Sequence, residues 1–130
     1  MREREFVDER GEIHTFEVDG AEFSVMLTKK GYARGGDHHK TRQYVAALRG
    51  SVDLHIRKSD GEEGVYTVNA GEHFVILKNL PHYMVSTTDS ITIEWIEGGY
   101  GDTEYDTVFR KRVVWLNQRV LGLDGETGQI

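Results

Sequence analysis

Two histidine-bearing segments carry the residue types from which a reactive centre can be built. The first runs Gly31, five residues, Asp37-His38-His39, three residues, Gln43, six residues, Gly50. The second runs Gly71, five residues, Leu77-Lys78-Asn79, two residues, His82, three residues, Ser86. Side chains alternate faces along a strand, so an extended stretch puts Asp37, His39 and Gln43 on one side and His38 on the other. Gln43 shares its side with Val45 and Ala47, the pattern of a barrel interior. Carboxylate, imidazole and amide suit a divalent first-row metal, and imidazole serves Zn, Fe, Ni and Cu alike. Imidazole also moves protons near neutral pH, which makes His38 or His39 a candidate base.

Such residues need a rigid frame, and the rest of the chain reads as strands. Fifteen glycines and one proline punctuate short segments rich in Val, Ile, Thr, Tyr and Phe. Their hydrophobic alternation has a period of two, which makes the class all-β. Ser51 to Arg57 sets Val52, Leu54 and Ile56 on one face, and Lys58-Ser59-Asp60-Gly61 supplies the following turn. Further strands are expected near Ile13 to Val18, Glu22 to Thr28, Gln43 to Arg49, Val65 to Val68, Glu72 to Lys78, His82 to Thr87 and Ile91 to Ile96. Eight short strands at this spacing fit a sandwich or barrel, and 130 residues suit one domain spanning the chain. From Tyr105 to Val120 there is neither glycine nor proline, and a basic Arg110-Lys111-Arg112 run interrupts the apolar residues. A helix and an interrupted strand both fit that pattern. The apolar residues need cover either way, so residues 104–120 are expected to form a packing arm and 122–130 a mobile tail.

The two segments resemble the paired motifs of the cupin family. Against G-x5-H-x-H-x3-E-x6-G, Gly31, His39 and Gly50 are kept, Asp37 stands for the first histidine and Gln43 for the glutamate. Against G-x5-P-x-G-x2-H-x3-N, Gly71 and His82 are kept, while Leu77, Asn79 and Ser86 depart. The resemblance implies a double-stranded β-helix, or jelly-roll barrel, in which His82 arrives from a distant strand to meet Asp37, His39 and Gln43. Those four are the implied ligands of a divalent transition metal (Fe, Mn, Zn or Ni), with no organic cofactor. One carboxylate beside two histidines also resembles the facial triad of non-haem iron enzymes. Gln43 removes one negative charge relative to the motif and Asp37 restores one. The family tolerates a second register, in which His38 becomes the ligand, Gly36 takes the first position, and only His38, Gln43 and His82 remain. The resemblance further implies a small-molecule ligand in the barrel and a homodimer, because terminal arms of small cupins often pack against a second subunit.

A narrower resemblance covers roughly residues 31 to 57, with a looser echo from Pro81-His82-Tyr83 through Glu94-Trp95. The string Ala33-Arg34-Gly35-Gly36-Asp37-His38-His39-Lys40 is similar to the Arg-Gly-x-His-x-His-Lys stretch of cupins that modify nucleotide-linked or capsular sugars. It implies a metal-centred isomerase or epimerase acting on a sugar or other hydroxy-carbonyl compound. Arg34 and Gln43 would bind substrate, Arg34 at an anionic group. His38 or His39 would be the base, and Tyr44 a proton donor if it faces the cavity. The same ligands fit an iron-dependent dioxygenase, and their departures from the motifs fit a non-catalytic binding or sensor cupin. An isomerase works without oxygen, a dioxygenase consumes it, and a sensor binds without forming product.

Other classes of function are excluded by composition. Cysteine is absent, so there is no disulfide framework, thiolate nucleophile or zinc-thiolate site. No apolar run approaches a bilayer span, and the amino end is too charged for a secretory signal, so a cytoplasmic protein without membrane contact is expected. A formal charge of -6 and a pI near 5.5 argue against nucleic acid as a partner. His55 is expected on the polar face of its strand, and His14 and His73 as structural or solvated residues. The Arg110-Lys111-Arg112 run reads as a solvated face, Gly35-Gly36 as a tight backbone path, and Trp95 and Trp115 as apolar fillers.

Overall fold

The alternating segments pair into two antiparallel sheets facing each other, in a computed structural model that describes residues 5–98 and 103–122. The strands are β1 (Glu5–Asp8), β2 (Gly11–Val18), β3 (Ala21–Thr28), β4 (Ala33–His39), β5 (Gln43–Arg49) and β6 (Ser51–Arg57), then β7 (Glu63–Asn69), β8 (His73–Ile76), β9 (His82–Ser86), β10 (Ser90–Ile96) and β11 (Thr103–Tyr105). One sheet has the order β1-β2-β3-β10-β5-β8 and the other β11-β4-β9-β6-β7. This is the expected jelly-roll barrel. Every strand anticipated from alternation is present, and β5 keeps its anticipated bounds. Three strands were not anticipated: β1 and β11, because four and three residues hold too few alternations to register, and β4, because its Arg34-Gly35-Gly36-Asp37 run carries no apolar alternation.

Inward side chains of both sheets close the barrel floor. Met26, Val45, Ala47, Val52, Leu54, Ile56, Val68, Ile76 and Met84 form one buried cluster, with Ile13, Tyr66, Phe74 and Leu80 packed against it.

The segment left open between helix and strand is a helix, α1 (Thr107–Leu121). Asp106 caps its start, accepting from the Phe109 amide at 3.1 Å. Gly122 ends it in the left-handed region at φ 74, returning its amide to the last turn. Helical spacing brings Phe109, Val113 and Leu116 to one face, which covers Ala33 and Tyr83. The arm therefore packs on β4 of its own barrel. Of the tail anticipated at 122–130, residues 123–130 lie outside the described residues.

Two expectations are corrected here. Trp95 and Trp115 are not fillers: both are exposed, Trp95 stacked on Tyr44 and Trp115 lying under Arg119. Nor is the basic run a solvated face. Arg110 donates to the Gly35 carbonyl at 2.8 Å, and Arg112 pairs with Glu63 at 2.7 Å while lying over Tyr83 and Phe109. Long arginine stems let a charged head reach a partner while the carbons cover an apolar seam.

Candidate metal centre

A bulge in β4 decides what faces the barrel interior. The pairing of β4 with β9 shifts register between Gly35 and Asp37, and Gly35 and Gly36 sit at φ 106 and φ 91, a region L side chains rarely adopt. Strict alternation would set Arg34 and Asp37 on opposite faces, whereas the extra residue turns both inward. A Cβ on Gly36 would lie 3.0 Å from the Arg110 amide and Cα, so the glycine also seats the first turn of α1.

Beyond the bulge, Asp37 pairs directly across the sheet with His82. Donor atoms of Asp37, His39 and His82 all lie within 4.8 Å of one another. One oxygen, Asp37 Oδ1, stands 3.4 Å from His82 Nε2 and 3.7 Å from His39 Nε2. Both imidazoles are fixed from behind. His82 Nδ1 donates to the Leu80 carbonyl at 2.9 Å, and His39 Nδ1 is 3.0 Å from the Thr103 hydroxyl. With Nδ1 donating to a carbonyl, His82 carries its lone pair on Nε2, toward Asp37, the tautomer a metal ligand needs, and the Thr103 hydroxyl can accept from His39 Nδ1 to give that ring the same tautomer. Gln43, also buried, lies beside His39, and its Oε1 has no partner among the described residues. A buried acceptor without a partner, beside three converging ligand atoms, fits a cation.

Burial keeps both imidazoles neutral. His82 is pushed down to about 4 by burial, against the Leu80 carbonyl, which acts to raise it. His39 is lowered by burial and by His82, with Asp37 opposing. In the unfolded chain an imidazole titrates near 6.5, so as pH falls the unfolded state takes the proton first. Metal-free protein should therefore lose stability between pH 6.5 and about 4, on the order of 3 kcal/mol from His82, and little more from this group below that. Urea midpoints taken across that range check the sign: a midpoint that rises on acidification would contradict it. Thr103 is the outer partner of His39. Thr103→Val should weaken metal binding by about 10–100-fold, read by competition with a chromogenic chelator.

Asp37, His39 and His82 stand in the wall of a cavity of about 720 Å³. Val45, Leu54, Ile76, Met26 and Met84 make its apolar walls, and Arg34, Glu94 and Gln43 line it with them. Arg34 is 5 % exposed. Its Nε donates to Thr28 Oγ1 at 2.8 Å and its Nη2 to the Leu27 carbonyl at 3.3 Å, while Nη1 has no partner among the described residues. Burial, then Arg10, lowers its pKa to about 10, with Asp8 and Glu94 opposing, so the guanidinium stays charged at neutral pH. Glu94, Arg110, Thr103 and Tyr105 also line the cavity and were not singled out from sequence. Glu94 had a usable signal, since it falls in phase with Ser90 and Thr92 on the inward side of a central strand.

Two residues assigned catalytic roles lie elsewhere, as corrections to the sequence reading. Tyr44 points to the outer face, stacked on Trp95 with centroids 5.2 Å apart and donating to Glu97 Oε2 at 3.2 Å. His38 is in the opposite phase to His39, with its Nε2 3.6 Å from Glu104, and does not line the cavity. The register using His38 and Gly36 therefore brings no ligand set together. His55 lies on the outer face as expected, stacked on Tyr83 at 4.4 Å, while His14 sits between Glu5 and Glu12 and His73 is exposed.

No protein-family model and no curated protein matches the sequence. Solved structures do match the fold. Oxalate decarboxylase from Bacillus subtilis superposes with a TM-score of 0.70 at 17% identity, over 94% of this chain and 35% of that one. The capsular polysaccharide assembling protein CapF from Staphylococcus aureus gives 0.69 at 24% identity, over 78% and 32%. CapF is also known with an inhibitor, 3-isopropenyl-tropolone. The chain thus spans about a third of the length of these two structures. At these identities the likeness shows the cupin barrel fold, and the site chemistry must be argued from the residues.

Proposed function

We propose that this cupin-fold chain is a metal-dependent enzyme, an isomerase or epimerase acting on a small anionic hydroxy-carbonyl compound such as a sugar derivative. The observation that carries the reading is the convergence of Asp37, His39 and His82 at a cavity that also holds a buried arginine with a free Nη1. When bound, a divalent metal there would polarise a substrate oxygen as a Lewis acid. Asp37 Oδ1 and the two Nε2 atoms would hold it, and Gln43 Oε1 would add a neutral acceptor beside them. Arg34 Nη1 anchors the anionic end of the substrate, a charge-assisted bond strengthened by the low dielectric of a buried site. His39 and His82 are engaged at Nδ1 and committed at Nε2, and His38 lies outside. The proton next to the carbonyl therefore passes to Glu94, a carboxylate lining the same space. The apolar walls exclude water from the chemistry.

The reading is tested by incubating metal-loaded protein in D2O without oxygen against a panel of anionic hydroxy-ketones and hydroxy-aldehydes, following carbon-bound protons by NMR. Exchange that needs metal and disappears in Glu94→Gln, with metal retained, supports it. A dioxygenase is favoured by the two-histidine, one-carboxylate set and would instead consume oxygen and show no anaerobic exchange. Saturable binding with neither signal would leave a sensor and end the enzymatic reading.

A further inference from the structure

Two consecutive glycines stand immediately before the ligand Asp37. Glycine restricts its own backbone least of all residues, so Gly35 and Gly36 left to themselves would let Asp37 swing toward the cavity or away from it. The sheet does not prevent this. Gly35 pairs with Tyr83 and Asp37 with His82, which leaves Gly36 without a partner on β9, and the pairing with β11 begins only at Asp37. What holds Gly36 comes from the start of α1. Arg110 Nη1 donates to the Gly35 carbonyl at 2.8 Å, and the Asp106 amide donates to the Gly36 carbonyl at 2.8 Å. Those carbonyls belong to the two planar peptides on either side of Gly36, so pinning both fixes the rotation between them and the direction in which the chain enters Asp37.

We propose that Arg110 is a positioning residue of the metal centre: by pinning the Gly35–Gly36 peptide it turns Asp37 Oδ1 toward His39 and His82, and so sets the affinity and geometry of the site. The fit between helix and glycine is close. Arg110 Cδ, Cα and amide nitrogen lie 2.7, 3.0 and 3.0 Å from where a Cβ on Gly36 would stand. Both pins are themselves held. The Arg110 guanidinium lies over the Tyr105 ring, 4.8 Å from its centroid, and Arg57 Nη1 donates to Asp106 Oδ2 at 3.2 Å. The other two ligands are fixed independently, His82 by the Leu80 carbonyl and His39 by the Thr103 hydroxyl. Loss of the Arg110 donor therefore acts as partial loss of one ligand, Asp37. The proposal rests on the metal-centre reading given above and not on the reaction assigned to it.

The test measures Zn(II) affinity by competition with a chromogenic chelator, and the visible spectrum of Co(II)-loaded protein, in wild type, Arg110→Met and Arg110→Lys. Lys111→Met, at the neighbouring exposed position, is the control. Arg110→Met keeps an unbranched stem and removes the donor, while Arg110→Lys restores one. Arg110→Met should raise the Zn(II) dissociation constant about tenfold, the low end of what loss of an outer partner costs, and move the Co(II) spectrum toward that of Asp37→Ala. Arg110→Lys should recover most of the affinity, and Lys111→Met should leave both readouts unchanged. A role in helix packing alone would lower the urea midpoint of Arg110→Met without moving the Co(II) spectrum, and would overturn the proposal. Equal loss in Lys111→Met, or no recovery in Arg110→Lys, would do the same. Wild-type protein that takes up no metal would end the metal-centre reading and leave this proposal to NMR of the metal-free chain. There the nuclear Overhauser effect between the Asp37 Hβ protons and the His82 ring should weaken in Arg110→Met and return in Arg110→Lys, and equal strength in all three proteins would overturn it.

Discussion

Asp37→Ala, His39→Ala and His82→Ala each weaken metal binding by more than the roughly 10–100-fold that loss of an outer partner costs, while His38→Ala leaves it unchanged. Each of the first three removes one of three ligand atoms that lie within 4.8 Å of one another. Asp37 has the further effect of leaving two buried imidazoles without the carboxylate that faces both Nε2 atoms. A competition titration with a chelator of known affinity gives all four values in one experiment. Lost binding in His38→Ala with none lost in His39→Ala would mean that the strand presents its other face to the cation. That result would restore the alternative register.

Phe109→Ala costs about 3–5 kcal/mol of folding stability, the range for a fully buried aromatic replaced by alanine. Phe109 is 0% exposed, meets Tyr83 edge-on with centroids 5.0 Å apart, and lies beneath the guanidinium groups of Arg57 and Arg112, each 5.2 Å from its ring. Without the ring, α1 loses its anchor over Ala33 and Tyr83, and Arg110 loses the seat from which it reaches the Gly35 carbonyl. Urea unfolding followed by circular dichroism measures the loss, and a change below about 1 kcal/mol would show that the site collapses around the cavity.

The barrel was readable because its strands alternate cleanly and glycine marks their ends. The cavity-facing set was readable for the same reason: Asp37, His39 and Gln43 share a parity, and the spacing of the second segment points to His82. What alternation could not show is the step at Gly35 and Gly36, since a bulge resets parity and only the pairing with β9 reveals it. Arg34 thus faces the cavity in spite of its odd separation from Asp37. The same rule, applied strictly, already set His38 and Tyr44 out of phase with the ligands, and the structure places both outside the cavity. Trp95 misled for a different reason. A period-two reading assumes a polar outer face, and this sheet has an apolar one. In α1 the charged run hid the helical face, because Arg110 and Arg112 flank Phe109 and Val113 and extend their stems along it.

Metal content of the wild-type protein, purified without a metal-chelating tag and analysed for all first-row elements, tests the centre most directly. Close to one divalent metal per chain, as isolated or after reconstitution, is the predicted result. Protein that takes up no stoichiometric metal under either condition would contradict the assignment of Asp37, His39 and His82 as a metal centre.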